Sequence, residues 1–307
     1  MFDQKLLEGT LWLAEETRFR LALDRLSRIA ACPTAREIVQ ARRQALEDAQ
    51  AASKRAIKAS KGKIGVIPIF GPIEQRVSSP MMKLCGTSCE EVSIALDVLL
   101  NDPSVDSIVF HIDSPGGSSY GVEELSDKIH AARGKKKMYA FADSLMASAA
   151  YWIGTAAETV IVTPGGDVGS VGVYAVHVDE SKMLADEGIN ITLIKSGKFK
   201  AELASHVPLT EEARDYLQEM VDLTAGKFHA ALKRNRSVSA DAVRKSFGEG
   251  RLVPADKALE AGMVDRIMPF DQFMGKLTGS TESGKKASAE VLRLAQEQRK
   301  RKLWAGV

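Results

Sequence analysis

The chain has 307 residues, enough for one large domain or two smaller ones with stable cores. Its 45% hydrophobic, 27% charged and 6% aromatic residues are typical of a soluble globular protein and argue against a membrane protein. The net charge of +2 is too small for the whole protein to attract nucleic acid through its field.

Residues 1–61 are predicted to form a helical N-terminal extension. Ala, Leu, Glu, Arg and Gln dominate this stretch, and Thr34 followed by Glu37 is typical of a helix start. The extension ends in the basic sequence SKRAIKASKGK, which we interpret as a solvated helix face.

Residues 62–274 are predicted to form the core domain, in which strands and helices alternate. Runs rich in β-branched residues predict strands at 64–69, 107–112, 138–141, 159–163, 171–178, 191–194 and 263–267. Apolar spacing predicts helices at 92–99, 122–132, from about 147, at 210–234 and at 254–261. This alternation predicts an α/β fold with a mostly parallel sheet covered by helices. Residues 275–307 are predicted to be a linker and a basic tail.

Cysteine usage and the absence of long apolar runs bear on the location of the protein. The three cysteines, Cys32, Cys85 and Cys89, give no disulfide framework, so we expect a reducing cytoplasm. We expect neither a signal peptide nor a membrane anchor, because the first residues include acidic side chains and no apolar run approaches the ~18 residues of a spanning helix. No acidic or histidine cluster has ligand spacing, so neither a metal nor a cofactor is predicted.

Two short segments after predicted strands could carry chemistry. Gly116 and Gly117 end the sequence DSPGG, where glycines allow a sharp turn and expose N–H groups; the alternative is an ordinary strand-ending turn. Ser148 lies among alanines at a predicted strand-to-helix junction, where a helix N-terminus could stabilise an oxyanion. The alternative for Ser148 is a serine that caps the helix.

A serine nucleophile needs a base, and the sequence offers histidines and lysines. The five histidines lie one per segment, and none has a setting that marks it as a triad base. A lysine in a dry cleft loses its charge readily and can accept the proton of a serine hydroxyl. Three lysines, Lys195, Lys198 and Lys200, crowd the segment IKSGKFKAEL, and their spacing does not choose among them.

Five motifs occur in a specific order along the chain: DSPGG, MASAAYW, GSVGV, SGKFK and GEGRLVPADKALEAGMVD. In order and approximate spacing they resemble the signal peptide peptidase A (protease IV) family over residues 63–273. The resemblance implies a Clp/crotonase-like fold with a core of ββα repeats. It also implies a serine endopeptidase that hydrolyses peptide bonds through a Ser-Lys dyad and an acyl-enzyme.

The resemblance implies a role for individual residues of this chain. Ser148 matches the nucleophile, Lys200 matches the general base, and Ser170 matches a serine that orients this lysine. The oxyanion hole is implied to consist of the N–H groups of Gly117 and Ala149, with Gly116 making the turn. The family often has glycines at the two positions after the nucleophile, so the alanines here put the shape of the nearby substrate subsite in doubt.

The lack of a predicted membrane anchor makes the chain similar to bacteriophage head-maturation proteases and minor capsid proteins that carry this domain. The resemblance then implies a polypeptide substrate, a ring-shaped homo-oligomer, capsid or scaffold partners, and a location in the cytoplasm or a phage prohead. Three other functions stay open. A crotonase-type acyl-CoA hydratase or isomerase needs acidic residues in the cleft, a Clp-type protease needs a Ser-His-Asp triad, and a capsid or scaffold component needs no catalysis.

Overall fold

A computed structural model of the chain describes residues 12–14, 64–76 and 86–278. The described strands are β1 (Trp12–Ala14), β2 (Ile64–Phe70), β3 (Ile73–Glu74), β4 (Thr87–Ser88), β5 (Ser107–Ser114), β6 (Gly116–Ser118), β7 (Lys137–Ala147), β8 (Thr159–Val162), β9 (Asp167–Gly169), β10 (Leu252–Pro254) and β11 (Arg266–Ile267). The described helices are α1 (Cys89–Asn101), α2 (Val122–Ala131), α3 (Ala149–Thr155), α4 (Ser181–Asp186), α5 (Glu211–Arg236), α6 (Ala240–Ser246), α7 (Ala255–Glu260) and α8 (Phe270–Thr278).

The strands form two sheets. The larger sheet has seven strands, and its central strand β7 pairs in parallel with β5 on one side and with β8 and β9 on the other. Strand β2 extends it in parallel beyond β5, β11 pairs in parallel with β8, and β10 pairs antiparallel with β9. The smaller sheet has the order β1-β6-β3-β4.

The chain repeats one pattern through the core. Strand β2 of the large sheet is followed by β3 and β4 of the small sheet and then by α1, and β5 is followed by β6 and α2. Each repeat therefore gives strands to both sheets before a helix returns the chain. These ββα units and the parallel main sheet confirm the predicted α/β fold of the Clp/crotonase-like type.

The large sheet is covered on both faces by apolar side chains. Alternate strand residues point to opposite faces, so Phe110 packs with α1, α2 and α3 in the larger core cluster. Val109 and Phe141 face the other way, where Phe270 and Phe273 of α8 cover them. The ends of the parallel strands are thereby held between two packed layers.

Three sequence predictions differ from the structure. No strand forms over 191–194, whose residues are exposed, and 171–178 has only an isolated bridge residue, Tyr174. Trp12–Ala14 is a strand rather than part of a helix, since pairing with an open sheet edge overrides a local helical preference. Residues 275–278 of the predicted linker continue helix α8. The rest of the predicted N-terminal extension and residues 279–307 lie outside the described residues, and the predicted domain boundaries stay predictions.

The side chain of Arg133 ties together the C-terminal ends of two helices. Its guanidinium donates to the carbonyl oxygens of Thr155 (2.9 Å), Ala156 (2.9 Å) and Ala157 (2.7 Å), at the end of α3. A further hydrogen bond of 3.1 Å reaches the carbonyl oxygen of Asn235 near the end of α5. These carbonyls have no intrahelical donor, so a cation here satisfies them and complements the helix dipoles.

Replacing Arg133 by methionine is expected to lower the free energy of unfolding by about 2 to 4 kcal/mol, because several partly buried carbonyls lose charge-assisted bonds. Chemical denaturation measures this loss. Lys135→Met, at an exposed position two residues away, is the matched control and should change the free energy little. Equal stability of the two variants would contradict this role for Arg133.

Candidate active site

Ser148 occupies the turn between β7 and α3 in a strained backbone conformation. Its φ of 53° and ψ of −118° lie where non-glycine residues rarely occur, at a cost of about 1 to 3 kcal/mol. The conformation is held from both sides: the Ser148 N–H donates to the Gly169 carbonyl (2.7 Å), and the Ser148 carbonyl accepts from the Trp152 N–H (2.9 Å). Such strain is commonly found at functional sites.

The hydroxyl of Ser148 is buried and unpaired. The residue is 1% exposed, and its Oγ has no hydrogen-bond partner among the described residues. Ser148 stands at the N-cap position of α3, yet its side chain makes no capping hydrogen bond. The interpretation of Ser148 as a helix-capping serine is therefore wrong, and a buried hydroxyl without a structural bond requires another explanation.

Ser170 lies beside Ser148 at the same end of the sheet. The parallel strands β7 and β9 pair Ala147 with Gly169, so the two serines follow paired residues on strands about 4.8 Å apart. Ser170 is 5% exposed, has a φ of 51°, and donates its N–H to the Arg251 carbonyl (2.9 Å). The structure thus brings these two predicted residues together through strand pairing.

The glycines of DSPGG are fixed by close backbone contacts. Gly116 has a φ of 94° and donates its N–H to the Ser114 hydroxyl (3.1 Å), which donates in turn to the Gly71 carbonyl (2.7 Å). A Cβ on Gly117 would lie 2.0 Å from the Ile73 carbonyl oxygen, so no larger residue fits there. The Gly116 N–H is therefore used within the turn, and the backbone of β6 lies close against β3.

Helix α3 is anchored so that its N-terminus stays in place. Strand β6 packs against it, and the Tyr151 hydroxyl donates to the Met263 carbonyl (2.9 Å). Burial raises the pKa of this phenol well above its usual range, so it remains a donor. Trp152 stacks on Phe228 with ring centroids 4.7 Å apart. The N–H of Ala149, in the first turn of α3, has no intrahelical acceptor and so is free to bind an anion.

The three candidate lysines lie on the connecting segment, residues 172–209, and all three are exposed. Lys195 donates to the Lys198 carbonyl (2.9 Å), and Lys198 forms an ion pair with Glu212 (2.6 Å). Within the described residues, the side chain of Lys200 has no such partner. The structure does not bring Lys200 into hydrogen-bonding contact with the Ser148 hydroxyl, so the dry cleft expected around this lysine is not formed by this chain alone.

One histidine has a carboxylate partner that the sequence did not indicate. His111 Nε2 lies 3.1 Å from Asp143 Oδ2, and its ring stacks on Phe270 with centroids 4.3 Å apart. His111 contacts the aromatic rings on the α8 face of the sheet, whereas α3 packs on the opposite face. The pair therefore does not form a triad with Ser148, and the geometry gives no support to the Clp-type triad.

Residues 64–76 and 86–278 contain neither a candidate metal site nor a candidate membrane span. No group of three or more histidine, cysteine or carboxylate side chains there is placed to hold a metal ion. Cys89 is buried, which raises the pKa of its thiol to about 12, while Cys85 lies outside the described residues. Across the same residues no helix has both the length and the apolar character needed to cross a bilayer.

Chelation should leave hydrolytic activity unchanged. The candidate nucleophile and donors need no metal to act, since a serine and main-chain N–H groups supply both attack and charge stabilisation. The test is peptide hydrolysis before and after treatment with EDTA and removal of the chelate. Loss of activity that Zn²⁺ or Mn²⁺ restores would show that the site has been misassigned.

Two residues that support the site were not predicted from the sequence. Ser114 is fully buried and fixes the turn before Gly117, and its position just before Pro-Gly-Gly was the available signal. The Arg133 clamp on α3 had no local signal, because its acceptors are main-chain groups distant in sequence.

The fold and the junction at Ser148 define a class: a Clp/crotonase-like α/β protein with a strained, buried serine at the start of a helix. Residues 130–282, about half of the chain, match the family described as Peptidase family S49. The resemblance to signal peptide peptidase A is confirmed by this match and by the relatives that follow.

Three curated relatives illustrate the range of similar proteins. A putative protease, MJ0651, of Methanocaldococcus jannaschii is 30% identical over 59% of this chain and 58% of its own length. Capsid assembly protease C of Escherichia phage lambda is 28% identical over 67% of this chain and 46% of its own length. A putative signal peptide peptidase SppA of Enterococcus faecium is 26% identical over 68% of this chain and 61% of its own length. The chain thus spans about half the length of these relatives.

Proposed function

We propose that this chain is a serine endopeptidase in which Ser148 is the nucleophile and Lys200 the general base. The observation that carries the proposal is the Ser148 hydroxyl, which is buried and unbonded in a strained turn at a helix N-terminus. A hydroxyl that stabilised the fold would make a hydrogen bond, whereas a nucleophile must keep its lone pairs free for the substrate.

The reaction is acyl transfer in two steps. Ser148 Oγ attacks the scissile carbonyl carbon while its proton passes to the neutral amine of Lys200. The resulting oxyanion accepts hydrogen bonds from the N–H groups of Gly117 and Ala149. The lysine then protonates the leaving amine, and an acyl-enzyme remains. Water, deprotonated by the same amine, hydrolyses the ester, and Ser170 orients the lysine throughout.

Lys200 must move to Ser148 before it can act, and we propose that assembly of identical subunits places it there. The connecting segment exposes several large apolar side chains: Met183, Ile189, Ile191, Leu193, Ile194 and Phe199. Ile194 is 95% exposed, which is unfavourable for an isolated chain in water. Packing of this segment on a neighbouring copy buries these groups and dries the surroundings of Lys200, as a neutral amine requires. In a closed ring, the connecting segment of every copy packs on a neighbour in the same way.

The polypeptide substrates are proposed to be capsid or scaffold proteins of a bacteriophage. The support is the name of one relative, the capsid assembly protease of phage lambda. The idle capsid component is the main alternative, and it predicts no reactive serine. The acyl-CoA hydratase alternative has less support, because the matched family is a peptidase family.

Labelling with a fluorophosphonate tests the nucleophile directly. The full chain is incubated with the probe, digested, and mapped by mass spectrometry, with Ser144, in the same strand, as an internal comparison. We expect a stoichiometric adduct on Ser148 only. An unlabelled chain that is folded and assembled would favour the idle capsid component or the hydratase.

A further inference from the structure

One edge of β6 is paired with the chain's own N-terminal segment, strand β1. In the small sheet β6 lies between β3, which pairs with it in parallel, and β1, which pairs with it antiparallel. The antiparallel register joins Trp12 to Ser118, Leu13 to Gly117 and Ala14 to Gly116. A segment far from the core in sequence thus lies directly on the glycine strand of the candidate active site.

This edge is where an extended peptide can meet the catalytic groups. Strand β6 carries Gly117, a proposed oxyanion donor, and packs on α3, which starts after Ser148. Because β3 already takes the opposite edge at Gly117, a peptide that pairs with this strand must add at the edge held by β1. Addition of an extended peptide to an open edge uses main-chain hydrogen bonds and needs no particular sequence.

We propose that residues 12–14 are an intramolecular occupant of the peptide-binding edge, so that the chain competes with its own substrate. The proposal rests on the proposed function, because it takes this edge to be the substrate's. The ligand class that the edge accepts is an extended peptide, bound antiparallel to β6 through its main chain. Release of residues 12–14 opens the edge, and their return closes it.

Tethering makes such a short segment an effective competitor. A peptide of three paired residues binds weakly in free solution, whereas a covalent link makes its binding intramolecular and sets it by an effective concentration. An occupant that must leave before substrate binds multiplies the apparent affinity by the free fraction of the site, so the apparent dissociation constant rises. A chain whose edge is occupied should have a higher KM than a chain whose edge is free. The two should have the same kcat, since the enzyme-substrate complex no longer contains the occupant.

Single proline substitutions test the pairing with little change to the chain. Adjacent residues of a strand direct their N–H groups to opposite edges, so one of Leu13 and Ala14 donates toward β6. Proline at that position removes the donor and disfavours the pairing. We expect Leu13→Pro or Ala14→Pro to lower KM for a reporter peptide at least about threefold, because the site is freed. Gln4→Pro, outside the paired residues, is the matched control and should leave KM unchanged.

A binding measurement separates this proposal from the proposed function. A labelled peptide with the sequence of residues 9–17, GTLWLAEET, is titrated into the Ser148→Ala chain with and without the proline substitution. Fluorescence anisotropy should show at least about threefold tighter binding to the proline variant, because the proline frees the edge that the peptide binds. Unchanged thermal unfolding would establish that the proline variants are folded.

The outcomes are distinct. If no chain hydrolyses peptides but the proline variants bind the labelled peptide more tightly, the proposed function fails and the intramolecular occupant stands. If hydrolysis is present while neither KM nor peptide binding responds to either proline, the proposed function stands and the occupant is overturned.

Discussion

Replacing Ser148 by alanine is expected to abolish peptide hydrolysis while the protein stays folded and assembled. Loss of the attacking oxygen removes the covalent route, which in serine peptidases costs at least about 10⁴-fold in kcat. The fold should tolerate the change, because the Ser148 hydroxyl makes no hydrogen bond that would be lost. The free energy of unfolding is therefore expected not to fall, and removal of a buried hydroxyl that lacks a partner should raise it by about 1 kcal/mol.

The measurements are the steady-state rate on a peptide substrate, chemical denaturation, and the assembly size by light scattering. Ser144→Ala is the matched control, since it removes a hydroxyl from the same strand β7 at a partly exposed position. It should retain activity. More than a few per cent of the activity in clean Ser148→Ala protein would rule out Ser148 as the nucleophile.

Replacing Lys200 by methionine is expected to have an effect of similar size, at least about 10³-fold in kcat. Methionine keeps the length and apolar stem of lysine but cannot accept a proton, so the Ser148 hydroxyl would remain a weak nucleophile. Because Lys200 is exposed in the single chain, its loss should leave thermal unfolding almost unchanged. The expected defect is therefore one of chemistry rather than of folding.

The neighbouring lysines provide the controls for this prediction. Lys195→Met and Lys198→Met each delete an ammonium group within five residues of Lys200, and both groups already have polar partners on the surface. Both variants should keep substantial activity. If one of them is inactive while Lys200→Met cleaves at the wild-type rate, the base must be reassigned to that lysine within the segment IKSGKFKAEL.

The dependence of Lys200 on assembly has its own measurable consequence. A dimeric or larger assembly that completes the site should lose activity on dilution in step with its dissociation. Inactive Ser148→Ala and Lys200→Met chains, once mixed and reassembled, should recover part of the activity if one copy supplies Lys200 to the Ser148 of another. No recovery in mixed assemblies of confirmed composition would place both residues in one chain.

Local patterns in the sequence were sufficient for the α/β class, and they made Ser148 a candidate that the motif resemblance then selected. The strands and helices from Ile64 to Thr155 follow hydrophobic periodicity, which reflects burial of alternate or helical faces against one core. Ser148 was recognisable because small residues at a strand-to-helix junction leave room for a nucleophile. The motif resemblance also selected Ser170, and strand pairing then placed it beside Ser148.

Hydrophobic periodicity predicted the wrong secondary structure where the apolar residues of the pattern are not buried or where a distant strand offers a partner. Residues 191–194 alternate like a strand, yet Ile191, Leu193 and Ile194 are exposed, because no partner strand is available to them within the described chain. Trp12–Ala14 lies in a stretch of helical character but pairs with β6, a contact that depends on an edge formed more than a hundred residues later.

Residue types and their order tell which groups are chemically able to act: a serine at a helix start, glycines after a strand, and lysines in one segment. The fold then selects which of these groups are free to act. It gave Ser148 a strained turn and an unbonded hydroxyl, committed Gly116 to Ser114, and left Lys200 exposed without a partner among the described residues. The reason is physical: residue type fixes the available chemistry, whereas burial, strain and hydrogen-bond partners depend on contacts between residues distant in sequence.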